Sequence, residues 1–265
     1  MSKTIIEEMS RVARECGVMM RSADSVRIES EIKSSFKDVV TEYDKKIQNH
    51  AVSELGKSFP QAHFICEEGD VGTTAGDGYT FIIDPIDGTA NFIHHYDCSC
   101  TSIACTKDGQ PIAAVIYDPF RDELFTAERG NGAFPNGMPI RIADGSLKEN
   151  LVIFGTADYN PGLADRTFEY ARSIISICQD LRRTGSGALD LCYVAAGRAG
   201  MFFELELALW DYAAGALIVE EAGGICMTME GEELTYYRPH KCSVIAGNKQ
   251  MIRDSGLLKT ANSQA

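Results

Sequence analysis

The sequence predicts a mixed α+β / α/β fold in two tightly joined subdomains, residues 1–145 and 146–265. Three observations carry that reading. Two stretches near the start space their apolar residues by three and four, the mark of an amphipathic helix. Short β-like runs broken by Gly, Pro and Asn follow, as antiparallel hairpins and meanders require. Beyond about Gly145 strands and helices alternate, which predicts a second, layered α/β half.

In chain order, the first helix runs from Thr4 to Arg21, with Ile5, Met9, Val12, Ala13, Cys16 and Met20 on its apolar stripe. The second runs from about Thr41 to Leu55, where Ile47, Ala51 and Leu55 recur and Asp44 falls in the early turns. Strands are expected at 62–66, 79–84, 101–107, 112–118 and 123–128, with "KDGQP", "DPFRD" and "RGNGAFPNG" as their punctuation. The second half reads as strand 150–155, helices 164–178 and 185–197, strand 199–205, helix 210–224 and strands 225–229 and 242–247. No flexible linker, internal repeat or low-complexity tract appears, so the halves are expected to share an interface, a place where ligands commonly bind.

With 265 residues and 45% hydrophobic composition, the chain is long enough to bury a sizeable core. No apolar run approaches the ~20 residues of a membrane span, and the start lacks a signal-type apolar core. A soluble, cytoplasmic protein without a membrane partner is expected. The nine cysteines are odd in number and form no C-x-x-C pair, which suits a reducing compartment and a role as small hydrophobes. A net charge of −13 and a pI near 4.8 argue against nucleic acid, whose binding needs a basic surface. The same charge repels phosphorylated substrates unless bound divalent metal inverts it locally.

The stretch "IIDPIDGTANF", residues 82–92, concentrates the chemistry. "DPIDG" alone fits a capped turn, with Asp first, Pro second and Gly at the exit. It also fits a metal site: a strand would deliver Asp84, the turn would return Asp87 toward it, and Gly88 and Thr89 would open a helical turn whose free N–H groups suit phosphate. Two carboxylates ~4 Å apart repel by about 4 kcal/mol at an effective dielectric near 20, so they need a proton or a cation. Oxygen ligands select Mg²⁺, Mn²⁺ or Ca²⁺. Two further acidic sites supply candidate ligands: Glu67 and Glu68 in "CEEGD", otherwise a solvated turn, and Asp211 in "LWDYAAG", otherwise an ordinary N-cap.

"DPIDGTANF", the acidic pair Glu67–Glu68, "KSSFKDVVTEYD" (33–44) and "WDYAAGALIVEEAGG" (210–224), in that order, resemble the inositol monophosphatase family of metal-dependent phosphatases across nearly the whole chain. The resemblance implies a layered αβαβα sandwich and a site carried over residue by residue. Glu67, Asp84, Asp87 and Asp211, with the Ile86 carbonyl, would hold two or three Mg²⁺. Asp87, Gly88 and Thr89 would bind the phosphate. Asp44 would orient the Thr89 hydroxyl, and Glu67, Asp44 and Thr89 would act in deprotonating the attacking water. Lys33 matches a nearby lysine of lesser role. Gly185, Ser186, Gly187 and Glu204 would hold the alcohol, the glycines otherwise reading as a helix-start loop and Glu204 as an exposed strand acid.

The expected activity is hydrolysis of a small polyol phosphate, inositol 1-phosphate first, by a lithium-sensitive homodimer. Histidinol-phosphate, 3′-phosphonucleotide and fructose-bisphosphate phosphatases carry related motifs. Cys66, Asp97 and Glu206 depart from the family's usual residues, which bears on the leaving group rather than on the metal ligands. Outside the family, the haloacid-dehalogenase signature D-x-D-G-T does not fit D-x-x-D-G-T. A non-enzymatic calcium-binding module lacks its EF-hand pattern here. "GSGALD" misses the third glycine of a dinucleotide loop. His94 and His95 read as a surface pair.

Overall fold

The computed structural model describes residues 4–23, 30–35, 38–69, 77–157 and 160–258. Helices α1 (Ile5–Arg21) and α2 (Glu42–Ser58) flank a two-stranded ribbon, β1 (Ser30–Ser35) and β2 (Asp38–Thr41). Then come β3 (His63–Cys66), β4 (Tyr79–Asp87), the one-turn helix α3 (Thr89–Ile93), β5 (Cys100–Lys107), β6 (Gln110–Asp118), β7 (Glu123–Glu128) and β8 (Gly132–Pro135). The rest of the chain forms β9 (Leu151–Phe154), α4 (Ala164–Ile175), β10 (Asp180–Arg182), α5 (Gly187–Ala195), β11 (Met201–Ala208), α6 (Leu209–Glu221), β12 (Ile225–Met227), β13 (Lys241–Gly247) and α7 (Lys249–Asp254).

Two sheets result. One has the order β3-β4-β5-β6-β7-β8, an antiparallel meander except for the parallel pair β3–β4. The other has the order β10-β9-β11-β13-β12 and mixes parallel with antiparallel pairs. The facing of alternate residues stacks them. Phe81 and Ile83 of β4 pack with Met9, Val12 and Ile47 of α1 and α2. Their neighbour Ile82 points the other way, into a cluster with Leu191 of α5, Leu217 of α6 and Phe202 of β11. Phe203, next to Phe202, packs with Ile174 of α4 and Met251 of α7. The layers are therefore α1/α2, sheet, α5/α6, sheet, α4/α7, the predicted αβαβα sandwich. Helix α6 lies between two sheets and is apolar nearly all round, as a helix buried on every side must be.

Where the structure departs from the sequence reading, the causes are local. "RGNGAFPNG", read as a connection, holds the edge strand β8. Strand β10 is not predicted, because Asp-Leu-Arg is three residues long with a single apolar one. Helix α7 was missed after the last strand. "DPIDG" is not a turn: β4 runs on through Asp87, and the irregularity is a bulge.

Candidate metal centre

In a regular strand, residues three apart face opposite sides of the sheet. Asp84 pairs with Ser102 and Asp87 with Cys100, so β4 spends three steps where β5 spends two, and the extra residue brings both carboxylates to one side. Proline fits the bulge because it needs no ladder partner for an N–H. The Ile86 N–H, lost from the ladder, donates to Asp84 Oδ1 at 3.0 Å, and the Pro85 carbonyl accepts from Thr101 Oγ1 at 2.9 Å.

Asp211 is the third residue of α6 rather than the residue that opens it. Its Oδ2 accepts from the Ala208 N–H at 3.0 Å. Ligand atoms of Asp84, Asp87 and Asp211 all lie within 4.8 Å of one another. Glu67 follows β3, lines the same pocket and hydrogen-bonds Asp84. Its loop is held by Gln48 of α2, whose side-chain amide pairs with both backbone groups of Glu68, the Glu68 N–H donating at 2.8 Å.

Burial, with the charges of Glu67, Asp87 and Asp211, pushes the Asp84 carboxyl well above the usual carboxylate range. Burial first, then Asp87 and Glu67, does the same to Asp211. Asp87 is raised by burial, against hydrogen bonds that favour its charged form: the Ala188 N–H donates to Oδ2 at 2.8 Å, and the Ser186 hydroxyl makes a short bond to the same oxygen. Three carboxylates this close, two of them buried and Asp211 half-buried, need compensating positive charge. The all-oxygen donor set of Asp84, Asp87 and Asp211, with Glu67 lining the same pocket, fits a hard divalent cation.

The Thr89 hydroxyl lies 3.2 Å from Asp44 Oδ1 and 3.0 Å from the Ile86 carbonyl oxygen. Asp44 is fully buried and occupies the third position of α2, its Oδ2 accepting from the Thr41 N–H (2.8 Å) and hydroxyl (2.5 Å). "TEYD" is thus a capping box whose spare oxygen reaches the site. First-turn residues of α3, α5 and α6 line this pocket, and Asp44 of the first turn of α2 reaches it through Thr89. Gly88 takes φ +87°, and an added Cβ would sit 2.9 Å from the Cys98 carbonyl oxygen, so this position admits only glycine without strain.

The inositol monophosphatase family model matches residues 2–264. The chain belongs to that family. It is 36% identical to the Nus factor SuhB of Xylella fastidiosa, over 97% of each chain. It is 38% identical to the inositol-1-monophosphatase of Mesorhizobium japonicum, over 82% of this chain and 80% of that one. The crystal structure of the extragenic suppressor protein suhB from Bartonella henselae matches with a TM-score of 0.89 at 33% identity, covering 98% of this chain and 100% of that one.

Within this family member, the predicted site residues gather in one pocket, lined by Glu67, Asp84, Ile86, Asp87, Gly88, Thr89, Gly185, Ser186, Gly187, Glu204 and Asp211. Asp44 stands behind Thr89. Glu204 is not an exposed strand acid: its Oε1 accepts from the Ala157 N–H at 2.9 Å, and its carboxylate fills the space a side chain at Gly155 would need. The side chain of Lys33 lies outside the described residues. His94 and His95 are exposed after α3. Sequence reasoning missed Gln48, Asn91, Arg183 and Asp190. Arg183 lines the pocket and donates to Thr156 Oγ1 at 3.1 Å, and Asp190 is buried and accepts from Thr184 Oγ1 at 2.6 Å. The doublet Arg182–Arg183 in an acidic chain was the available signal for the first; nothing local marks the others.

Proposed function

We infer that this protein is a metal-dependent phosphomonoesterase that hydrolyses a small polyol phosphate, inositol 1-phosphate in the first place, to the alcohol and phosphate. One observation carries the reading: in an inositol monophosphatase chain, the clustered Asp84, Asp87 and Asp211 face the bonded pair Thr89–Asp44. Glu67, Asp84, Asp87, Asp211 and the Ile86 carbonyl are the proposed ligands of two or three Mg²⁺. Bound there, divalent cations supply an activated water and charge neutralisation at the leaving oxygen.

The chain's own groups do the rest. Thr89 Oγ1 takes a proton from the attacking water as it passes its own to Asp44 Oδ1, and Glu67 assists from the opposite side. Backbone N–H groups at Gly88 and Thr89 orient the phosphate, and Asp87 would hold a cation that neutralises it. Gly185, Ser186 and Gly187 let the alcohol approach closely, and Glu204, anchored on Ala157, accepts from its hydroxyls. Direct attack leaves no phosphoenzyme.

A panel of phosphate esters (inositol 1-phosphate, glycerol 2-phosphate, histidinol phosphate, a 3′-phosphonucleotide, fructose bisphosphate) with Mg²⁺ or excess chelator tests this. Hydrolysis led by inositol 1-phosphate, abolished by chelator and inhibited by lithium, is expected. Another ester leading would move the protein to a sister phosphatase. Metal binding with no hydrolysis of any ester would support a calcium-binding module instead. Several relatives bear the name Nus factor SuhB, so a partner-binding role is the second reading, and the net charge of −13 favours a protein over nucleic acid there. We also propose a homodimer joined through the first half, checked by light scattering at micromolar concentration; a monomer mass overturns it.

A further inference from the structure

The mechanism above uses "DPIDGT" and leaves "ANF" without a role. Asn91 is the third residue of α3, two beyond Thr89. Its side-chain amide donates to two carbonyl oxygens: Cys98 in the first half at 2.7 Å and Thr184 in the second half at 2.9 Å. The loop after Thr184 presses on it, since a Cβ added to Gly185 would lie 3.1 Å from Asn91 Nδ2 and 3.3 Å from Oδ1. We propose that Asn91 is a positioning residue that clasps the halves across the site, fixing the Thr89 hydroxyl relative to the 184–188 loop.

Three physical points support this. A five-residue helix has no stability of its own, so α3 must be held from outside. Another tether at this seam, Ser186 and Ala188 to Asp87, ends on a carboxylate whose surroundings change with every bound cation. The Asn91 bonds join neutral groups only, so they persist with or without metal. The clasp thus holds the seam constant while the charged tether responds to metal loading.

Amide hydrogen exchange on the full chain, metal-free, tests the clasp without reference to activity. Asn91→Asp keeps the size but replaces both donors with an acceptor facing two carbonyls. Exchange is expected to rise together, by about tenfold, in 88–93 and in 184–190. A rise confined to 88–93, or none, overturns the clasp. If Asn91→Asp does not fold, Asn91→Gln, which keeps both donors displaced by one methylene, is measured; a smaller joint rise is expected, and no rise in 184–190 overturns the proposal. The rate arm rests on the phosphatase reading: Asn91→Asp should lower kcat about tenfold or more with KM nearly unchanged, and Asn91→Gln should lie between it and the parent. A raised KM at parental kcat would make Asn91 a binding group and overturn the positioning role. If the parent hydrolyses no ester, the phosphatase reading fails and exchange alone still decides the clasp.

Discussion

Asp211 shows how one residue can satisfy a local rule and a global one together. Its carboxylate ties down the start of α6 through the Ala208 N–H, which any helix would accept, and it also completes the acidic cluster, which no helix needs. Asp211→Asn keeps an oxygen for the Ala208 bond and removes the charge. Turnover at saturating Mg²⁺ should fall about 100-fold or more, about 2.7 kcal/mol at the barrier. Metal-free thermal unfolding should be no lower than that of the parent, because a buried repulsion has gone; near-normal turnover would reduce Asp211 to a helix-start residue. Gly88→Ala places a β-carbon in the left-handed region, a cost of roughly 1–2 kcal/mol before the contact with the Cys98 carbonyl is added. Denaturant midpoints should drop accordingly, and activity should drop with them as Thr89 shifts. The acids were legible in the sequence because carboxylates in apolar surroundings demand an explanation. Gln48 and Asn91 were not, since an amide bonding distant backbone leaves no trace in local pattern.

At the scale of elements, what the sequence showed least well is the device that makes the site. A bulge is invisible to period-two counting, and "DPIDG" has the composition of a turn; only the pairing of β4 with β5 reveals that the strand continues. The long amphipathic helices were legible within a few residues, and the central strands, buried on both faces, announced themselves as apolar runs. Edge pieces such as β8 and β10 bury one face or less and carry too few apolar residues to register. Helix α5 carries a testable charge. Asp190 is buried, and its carboxyl is pushed well above the usual range, by burial first and also by Asp87 and Glu204, against the Thr184 bond. A folded-state value above the unfolded one favours folding while the group is protonated, at pH below ~3.9, and that contribution is lost as pH rises through the folded value. Asp190→Asn still accepts from Thr184. It should therefore gain on the order of 1–3 kcal/mol over the parent at pH 8, and the gain should vanish toward pH 4 in metal-free urea titrations. A loss of stability at pH 8 would show that Arg183 and Thr184 compensate the charge.

For the whole molecule, the question is whether the proposed division near residue 145 is energetic or only architectural. The central cluster takes Ile82, Ala104, Ile116 and Phe125 from the first sheet, Ile153, Phe202 and Val244 from the second, and the inner faces of α5 and α6 between them. Neither half can close its core alone: without the second, the first sheet would expose one entire apolar face, and α6, apolar nearly all round, would keep α5 and the second sheet but lose the first sheet from its other side. Side-chain bonds cross the same seam, from Asn91 to Thr184 and from Ser186 and Ala188 to Asp87. The acidic site sits on that seam, so it exists only when both halves are folded and docked. Calorimetry of the metal-free protein should show one transition with matching van't Hoff and calorimetric enthalpies. Mg²⁺ should then raise that single midpoint as its concentration increases, because the ligands proposed for it come from both halves and meet only in the native state. Two resolved transitions, with only one responding to Mg²⁺, would instead place the ligands within one independently folding half and make the shared core incidental.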